Sequence, residues 1–501
     1  MARNKIFENQ LITKLSILVL ALFFINGKIA DKIGVNSSFY VNSISGNDSN
    51  NGKSPATAWK TISRIKTSTF NPGDSILLNG SQTFFGEINL TVSGTPGHPI
   101  TIGSYGNGKA TINAGNSNGI HWVNSSFAVV KNLIIKGNGA SNRGNGVFFE
   151  NKSGIVKKSI LVDNVEAYGF GFTSDHNFGL GNGIAVTGSS AFDSITIQNC
   201  VCHGNQSNGI SVIAKKSVHT LIQDCITNDN EGNSDFKKNW SGSGIFVYNS
   251  NGAIVQRCVA NSNGSRNGCA WGPVGIIVGG NNIVVQNCVA CDNQDPSKAD
   301  GGGYDIDVGD NCIIQYCYSK NNVGPGFMIN PAAGGLERSA SNCIIRYNIS
   351  ENDCTSNGYG AMLFGPFAGG KMTNMQCYNN VVYKPGGKVF SADNDALSSS
   401  DLKVFNNIFV GSSADWNQYL YGNNCYSGGI TSPAADATPV NADPSFVNPG
   451  AGGDGFKSFD GYKLQPGSPC INAGTIISNN GGKDFWGNTF TNGKPNIGAN
   501  K

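Results

Sequence analysis

The 501-residue chain predicts an all-β fold, a solenoid of short stacked strands, and three observations predict it. The first is a motif that recurs ten times: VVKNLI, LVDNVE, IQNCVC, IQDCIT, VQRCVA, VQNCVA, IQYCYS, IRYNIS, CYNNVV and VFNNIF. The second is a partner motif that follows eight of them, usually Gly and then alternating apolar residues: GVFF, GIAV, GISV, GIFV, GIIV, DIDV, GFMI and GAML. The third is composition: 68 glycines, only 13% charged residues, and β-branched runs without helical spacing.

Each period therefore reads as short strand, turn, short strand, turn. Such a unit cannot bury its apolar face alone and must stack on its neighbours, which gives parallel sheets. The fourth position of the first motif is Asn132, Asn164, Cys200, Cys225, Cys258, Cys288, Cys317, Asn348, Asn380 and Asn407, at intervals of 25 to 36 residues. Stacked coils lie about 4.8 Å apart, so these side chains are expected to form one ladder. Asn passes hydrogen bonds from coil to coil, and Cys fills the same space as a small apolar group. Most of the 14 cysteines are thus expected to be free buried thiols, with Cys312 and Cys343 sharing a second column. Cys425 and Cys470 fall outside the repeat and are the expected candidates for a disulfide.

The ends follow. Arg3, Lys5 and Lys14 precede the apolar run Leu15 to Ile25, which fits an export signal over residues 1–30 and a secreted protein, extracellular or periplasmic. No later segment is apolar enough to cross a membrane, so no membrane contact is expected after cleavage. The net charge of +3 gives no reason to expect nucleic acid. SPATAWKTISRI suits a helix capping the first coil, inside an N-terminal part of 37–120. The repeat core is expected over 121–410, and an irregular C-terminal coil and cap over 411–501. A monomer is expected.

FYVNSISGNDSNNGKSPATAWKTISRI with NPGDSILLNG, the Asn/Cys column, and the closing DPSFVN, YKLQPGSPCINAG and PNIGA together resemble the right-handed parallel β-helix proteins of the pectin-lyase-like superfamily. The resemblance covers roughly residues 37 to 500. It implies a right-handed parallel β-helix of about 10–12 coils and a secreted protein acting on polysaccharide. The polygalacturonase motifs and the pectate-lyase WIDH motif are absent, and the triplet Arg64 to Lys66 lies in the opening segment.

Chemistry is expected on the Gly-I-x-V strands. Ile184, Ile210, Ile245, Ile276 and Ile306 should face inward, as should Val186, Val212, Val247, Val278 and Val308. The outward column then reads Phe148, Ala185, Ser211, Phe246, Ile277, Asp307, Met328 and Met362. Long loops precede this strand in four successive coils and should wall a groove. They carry His176, Lys237, Lys238, Trp240, Arg266, Trp271 and Lys298, and rings beside cations suit sugars. Asp305 stands where other coils have Gly, and Asp305 and Asp307 should both point outward, about 6.6 Å apart. Such a pair suits a shared calcium ion, with Asp310 nearby, or acid and base roles in hydrolysis. Asp310 also fits a plain turn residue. In a lyase version Lys238 or Arg266, with Lys237, would remove the proton beside a uronate that calcium neutralises. In a hydrolase version the two aspartates act. The alternative is a non-catalytic solenoid that binds glycans or a surface.

Overall fold

The computed structural model describes residues 36–172, 179–331, 338–366, 369–392, 400–417, 419–451, 459–490 and 493–501. The expected signal over 1–30 lies outside them. Among the described residues no helix is long and apolar enough to cross a membrane.

The recurring motifs become strands of three to seven residues along most of the coil, and every pairing between strands is parallel. One ladder of strands runs through 157–168, 192–198, 217–223, 254–256, 284–286, 313–315, 344–346 and 375–378. A second runs through 289–291, 318–320, 349–351, 381–383, 408–410 and 425–427. The third runs through 120–123, 147–150, 184–187, 210–212, 245–251, 276–281, 304–310, 327–329, 362–364 and 390–392. Ile184, Val186, Ile210, Val212, Ile245 and Val247 are fully buried, as the alternation requires. Each contributes about 1.5–3 kcal/mol of burial. Because they stack, loss of one also leaves a gap beside its two neighbours.

The first ladder turns on a residue in the left-handed region: Asn199 (φ 54°), Asp224 (φ 54°), Arg257 (φ 52°) and Asn287 (φ 54°). The next side chain points inward, giving the buried column Cys200, Cys225, Cys258, Cys288, Cys317, Asn348, Asn380, Asn407 and Asn424. Here the expected alignment needs correcting by one residue in the first two coils. Val162 pairs with Ile197, so Asn164 matches the left-handed Asn199 and Val165 matches Cys200. Asn132 (φ 55°) and Asn164 (φ 54°) are therefore turn residues, and Leu133 and Val165 fill the inward place. The two kinds of ladder residue behave as expected. Cys225 Sγ–H lies 3.2 Å from the Gln223 carbonyl, whereas Asn348, Asn380 and Asn407 pass Nδ2–H to Oδ1 bonds of 3.0, 2.9 and 3.1 Å upward to Asn424.

A second buried ladder was not anticipated. Asn205, Asn230, Asn263, Asn293 and Asn322 donate in series at 2.9, 3.0, 3.0, 2.9 and 2.7 Å, ending on Asp353. Every member follows a left-handed residue, Gly204, Asp229, Ser262, Asp292, Asn321 or Asn352. The dipeptides GN, DN, SN, DN, NN and ND were its signal.

At the N-terminal side Ser54 caps a 3-10 turn, Pro55–Thr57, and a single helical turn, Ser63–Lys66, follows with Ile65 buried. Trp59 is buried and stacks on Phe39 at 5.2 Å. At the C-terminal side the buried Glu351 accepts from the hydroxyls of Tyr318 and Tyr462, each at 2.7 Å, and so ties the last segment to the coils. Arg346 adds a bond to the Asn479 carbonyl at 2.7 Å. All 14 cysteines are buried; Cys425 and Cys470 touch through their side chains and stand as thiols rather than as the expected disulfide.

Candidate functional site

The third ladder of strands carries the site, and its register differs from expectation at one place. Ile276 pairs with Tyr304, Ile277 with Asp305 and Val278 with Ile306; then Gly279 pairs with Val308. Asp307 is thus the extra residue of a bulge. The motif is displaced by two places, so Gly303 takes the Gly position, Tyr304 the Ile position and Ile306 the Val position. A shift of two preserves faces, which is why Asp305 still points outward, between Ile277 and Met328. Tyr304 fits the interior by donating its hydroxyl to the Tyr318 carbonyl at 2.9 Å. At the far end Met362 pairs with Phe327, so Leu363, not Met362, belongs to the outward column.

That column is covered. Phe246, Val274, Ile277, Met328 and Leu363 form a buried apolar cluster, with Trp240, Tyr248 and Tyr359 packed against it. Against this apolar floor stand three carboxyls. Asp307 is 8% exposed and its Oδ2 accepts from the Tyr248 hydroxyl at 2.9 Å and from Arg338 Nη1 at 3.3 Å. Tyr248 reaches across one coil because Gly279 lies beneath it; a Cβ there would strike the ring. Burial raises the Asp307 pKa, while the Arg338 charge and the Tyr248 hydrogen bond pull it back down. It is the carboxyl here whose neighbours stabilise a negative charge.

Asp300 sits in the preceding loop. Its Oδ2 accepts from the Gly272 N–H at 2.8 Å, and its own N–H donates to Asp295 Oδ2 at 3.0 Å. Asp295 also accepts from Ser297 and Ala299, so it holds this loop in place. Burial pushes the Asp300 carboxyl up to about 7; the Gly272 bond opposes this and the charges of Asp295 and Asp307 add to it. Asp305 is buried, and burial with the charges of Asp307 and Asp300 raises it well above the carboxylate range.

The sequence-predicted residues divide. Asp305, Asp307 and Phe246 meet at this site, with Trp240 at its edge, 5.8 Å from the Phe246 ring. Trp271 is half exposed, on the loop whose Gly272 binds Asp300. Lys237, Lys238 and Lys298 are exposed on their loops. Arg266 pairs with Glu231 at 3.6 Å, so the cation that reaches Asp307 is Arg338 instead. His176 lies outside the described residues. Asp310 is the last residue of the strand 304–310 rather than a turn residue, and it accepts from Ser341 at 2.6 Å and Asn342 at 2.7 Å. Among the described residues no group of three His, Cys, Asp or Glu is placed to hold a metal ion. Asp300, Tyr248 and Arg338 were missed, and their partners lie 31 and 59 residues away for the two contacts to Asp307. The pairing of an aromatic residue (GIFVYN) over glycine (GIIVGG) was the one local signal.

A model of the right-handed β-helix region matches residues 181–365. The protein folds as a right-handed parallel β-helix. This β-helix is similar to lacto-N-biosidase of Bifidobacterium longum subsp. longum, with 31% identity over 242 residues, covering 40% of this chain and 13% of that protein. It also superposes on a lacto-N-biosidase from Eubacterium ramulus with a TM-score of 0.53 and 18% identity, covering 68% of this chain and 64% of that one. A pectate lyase superposes with a TM-score of 0.42 and 15% identity over 93% of this chain and 97% of that one. The chain spans about an eighth of the length of the curated relative, and somewhat under two thirds of the Eubacterium chain.

Proposed function

We propose that the protein is a glycoside hydrolase acting on a neutral glycan, with Asp300 as the acid and Asp307 as the carboxylate. The observation that carries this reading is the pair of environments: one carboxyl is raised to about 7 by burial, while its neighbour is held by an arginine and a phenol. Two carboxyls with opposed surroundings divide acid and base work at neutral pH. Asp300 gives its proton to the glycosidic oxygen as the bond from that oxygen to the anomeric carbon breaks. Asp307 meets the positive charge that develops on the anomeric carbon, by attack or by taking a proton from the incoming water. Arg338 and Tyr248 favour its charged form against the effect of burial and aim it. The similarity to lacto-N-biosidase supports a glycosidase and suggests a related disaccharide-releasing activity.

With Asp300 protonated, Asp307 and Arg338 offset one another, and the similarity to lacto-N-biosidase favours a neutral glycan over the acidic polysaccharide expected from sequence. The test is a panel of neutral oligosaccharides, including ones ending in lacto-N-biose, beside uronate polymers. Released sugar that falls by about 10²- to 10⁴-fold in Asp300→Asn and Asp307→Asn is expected. Ultraviolet absorbance of unsaturated uronates would refute the reading, and binding without cleavage would favour the glycan-binding alternative.

A further inference from the structure

The proposed reaction leaves one of the three carboxyls without a role. Asp305 is 4% exposed, and its Oδ1 has no hydrogen-bond partner. The carboxylates beside it are engaged elsewhere: Asp307 on Tyr248 and Arg338, Asp300 on Gly272. Directly below and above it in the column stand Ile277 and Met328, both apolar and buried. A polar oxygen enclosed in this way is a standing cost to the fold, and an apolar residue would pack better. Its neighbours in the column are such residues. The carboxyl points from the strand to the same side as the two reacting aspartates, whose charges it feels.

We propose that Asp305 is a substrate-binding residue, whose carboxyl hydrogen-bonds the sugar bound beside Asp300 and Asp307 and fixes that ring relative to them. The inference rests on the glycosidase reading and adds a specificity-determining group to it. A buried carboxyl with an unpaired oxygen supplies a polar contact that a sugar hydroxyl can meet. Burial and the charges of Asp307 and Asp300 favour its neutral form, in which it both donates and accepts. A site built to meet a hydroxyl discriminates strongly against a sugar lacking it.

The test compares Asp305→Asn, which keeps a donor and an acceptor, with Asp305→Leu, which keeps bulk alone. Calorimetry with the neutral oligosaccharides, in a chain also carrying Asp307→Asn, reads binding; thermal melts read stability. Asp305→Leu is expected to bind about thirtyfold or more weakly, and Asp305→Asn about threefold more weakly. The melting temperature of the leucine variant should equal or exceed that of its parent. Unweakened binding by Asp305→Leu overturns the proposal while leaving the glycosidase reading intact. So does a fall of more than about 5 °C in its melting temperature, which would make the side chain a structural partner. A folded wild-type chain that neither binds nor cleaves any oligosaccharide overturns both readings.

Discussion

Removing one oxygen atom tests the catalytic arrangement most sharply. Tyr248→Phe deletes the hydroxyl that donates to Asp307 at 2.9 Å, yet keeps the ring that packs on Phe246 at 5.5 Å and lies over Gly279. A hydrogen bond to a charged group contributes about 1.5–3 kcal/mol. At 1.36 kcal/mol for each factor of ten, kcat/KM should fall roughly 10- to 150-fold. The shape of the pH profile carries the sign. The lost bond had favoured the charged form of Asp307, so its pKa rises and the acidic limb of the profile moves to higher pH. The basic limb, set by loss of the Asp300 proton near 7, should stay in place. Steady-state kinetics across that range, on whichever oligosaccharide the wild type cleaves, decide the matter. An unmoved acidic limb, or a loss under about threefold, would refute the role given to Tyr248 and Asp307.

Two predictions concern the frame. Asp353 ends the second asparagine ladder, fully buried, and burial raises its pKa to about 7. Its contribution is fully present below the unfolded value near 3.9 and is lost as pH rises through the folded one; Asp353→Asn should therefore gain up to about 4 kcal/mol relative to wild type between pH ~4 and ~7, in denaturant titrations at several pH values. Glu351→Ala strips the acceptor from Tyr318 and Tyr462 and removes the buried carboxylate that pairs with Lys320, so unfolding in urea should come about 3–5 kcal/mol earlier, with protease cleavage appearing first beyond residue 440.

The architecture was legible because a stacked fold writes its period into the chain: inward columns such as Ile184, Ile210 and Ile245 recur with little interruption. Registration within a column was less legible. Asn132 and Asn164 serve the turn and not the interior, and sequence spacing does not separate a left-handed asparagine from a ladder asparagine one place later. The bulge at Asp307 was hidden for a related reason, since a two-place displacement of YDIDV leaves its alternation unchanged. Asp305 and Asp307 drew notice as breaks in apolar columns. Asp300, Tyr248 and Arg338 did not, because their value lies in contacts made between coils, which no local pattern records.

Solenoids commonly gain and lose whole repeats, since each coil needs only its neighbours. Gly279 exempts one stretch from that freedom. The phenol of one coil passes over the bare backbone of the next to reach the carboxylate of a third, so the three consecutive coils around 248, 279 and 307 act as a single indivisible unit. A coil duplicated or deleted elsewhere would change only the length of the stack. One inserted within this unit would leave every strand paired and still part the phenol from its acid.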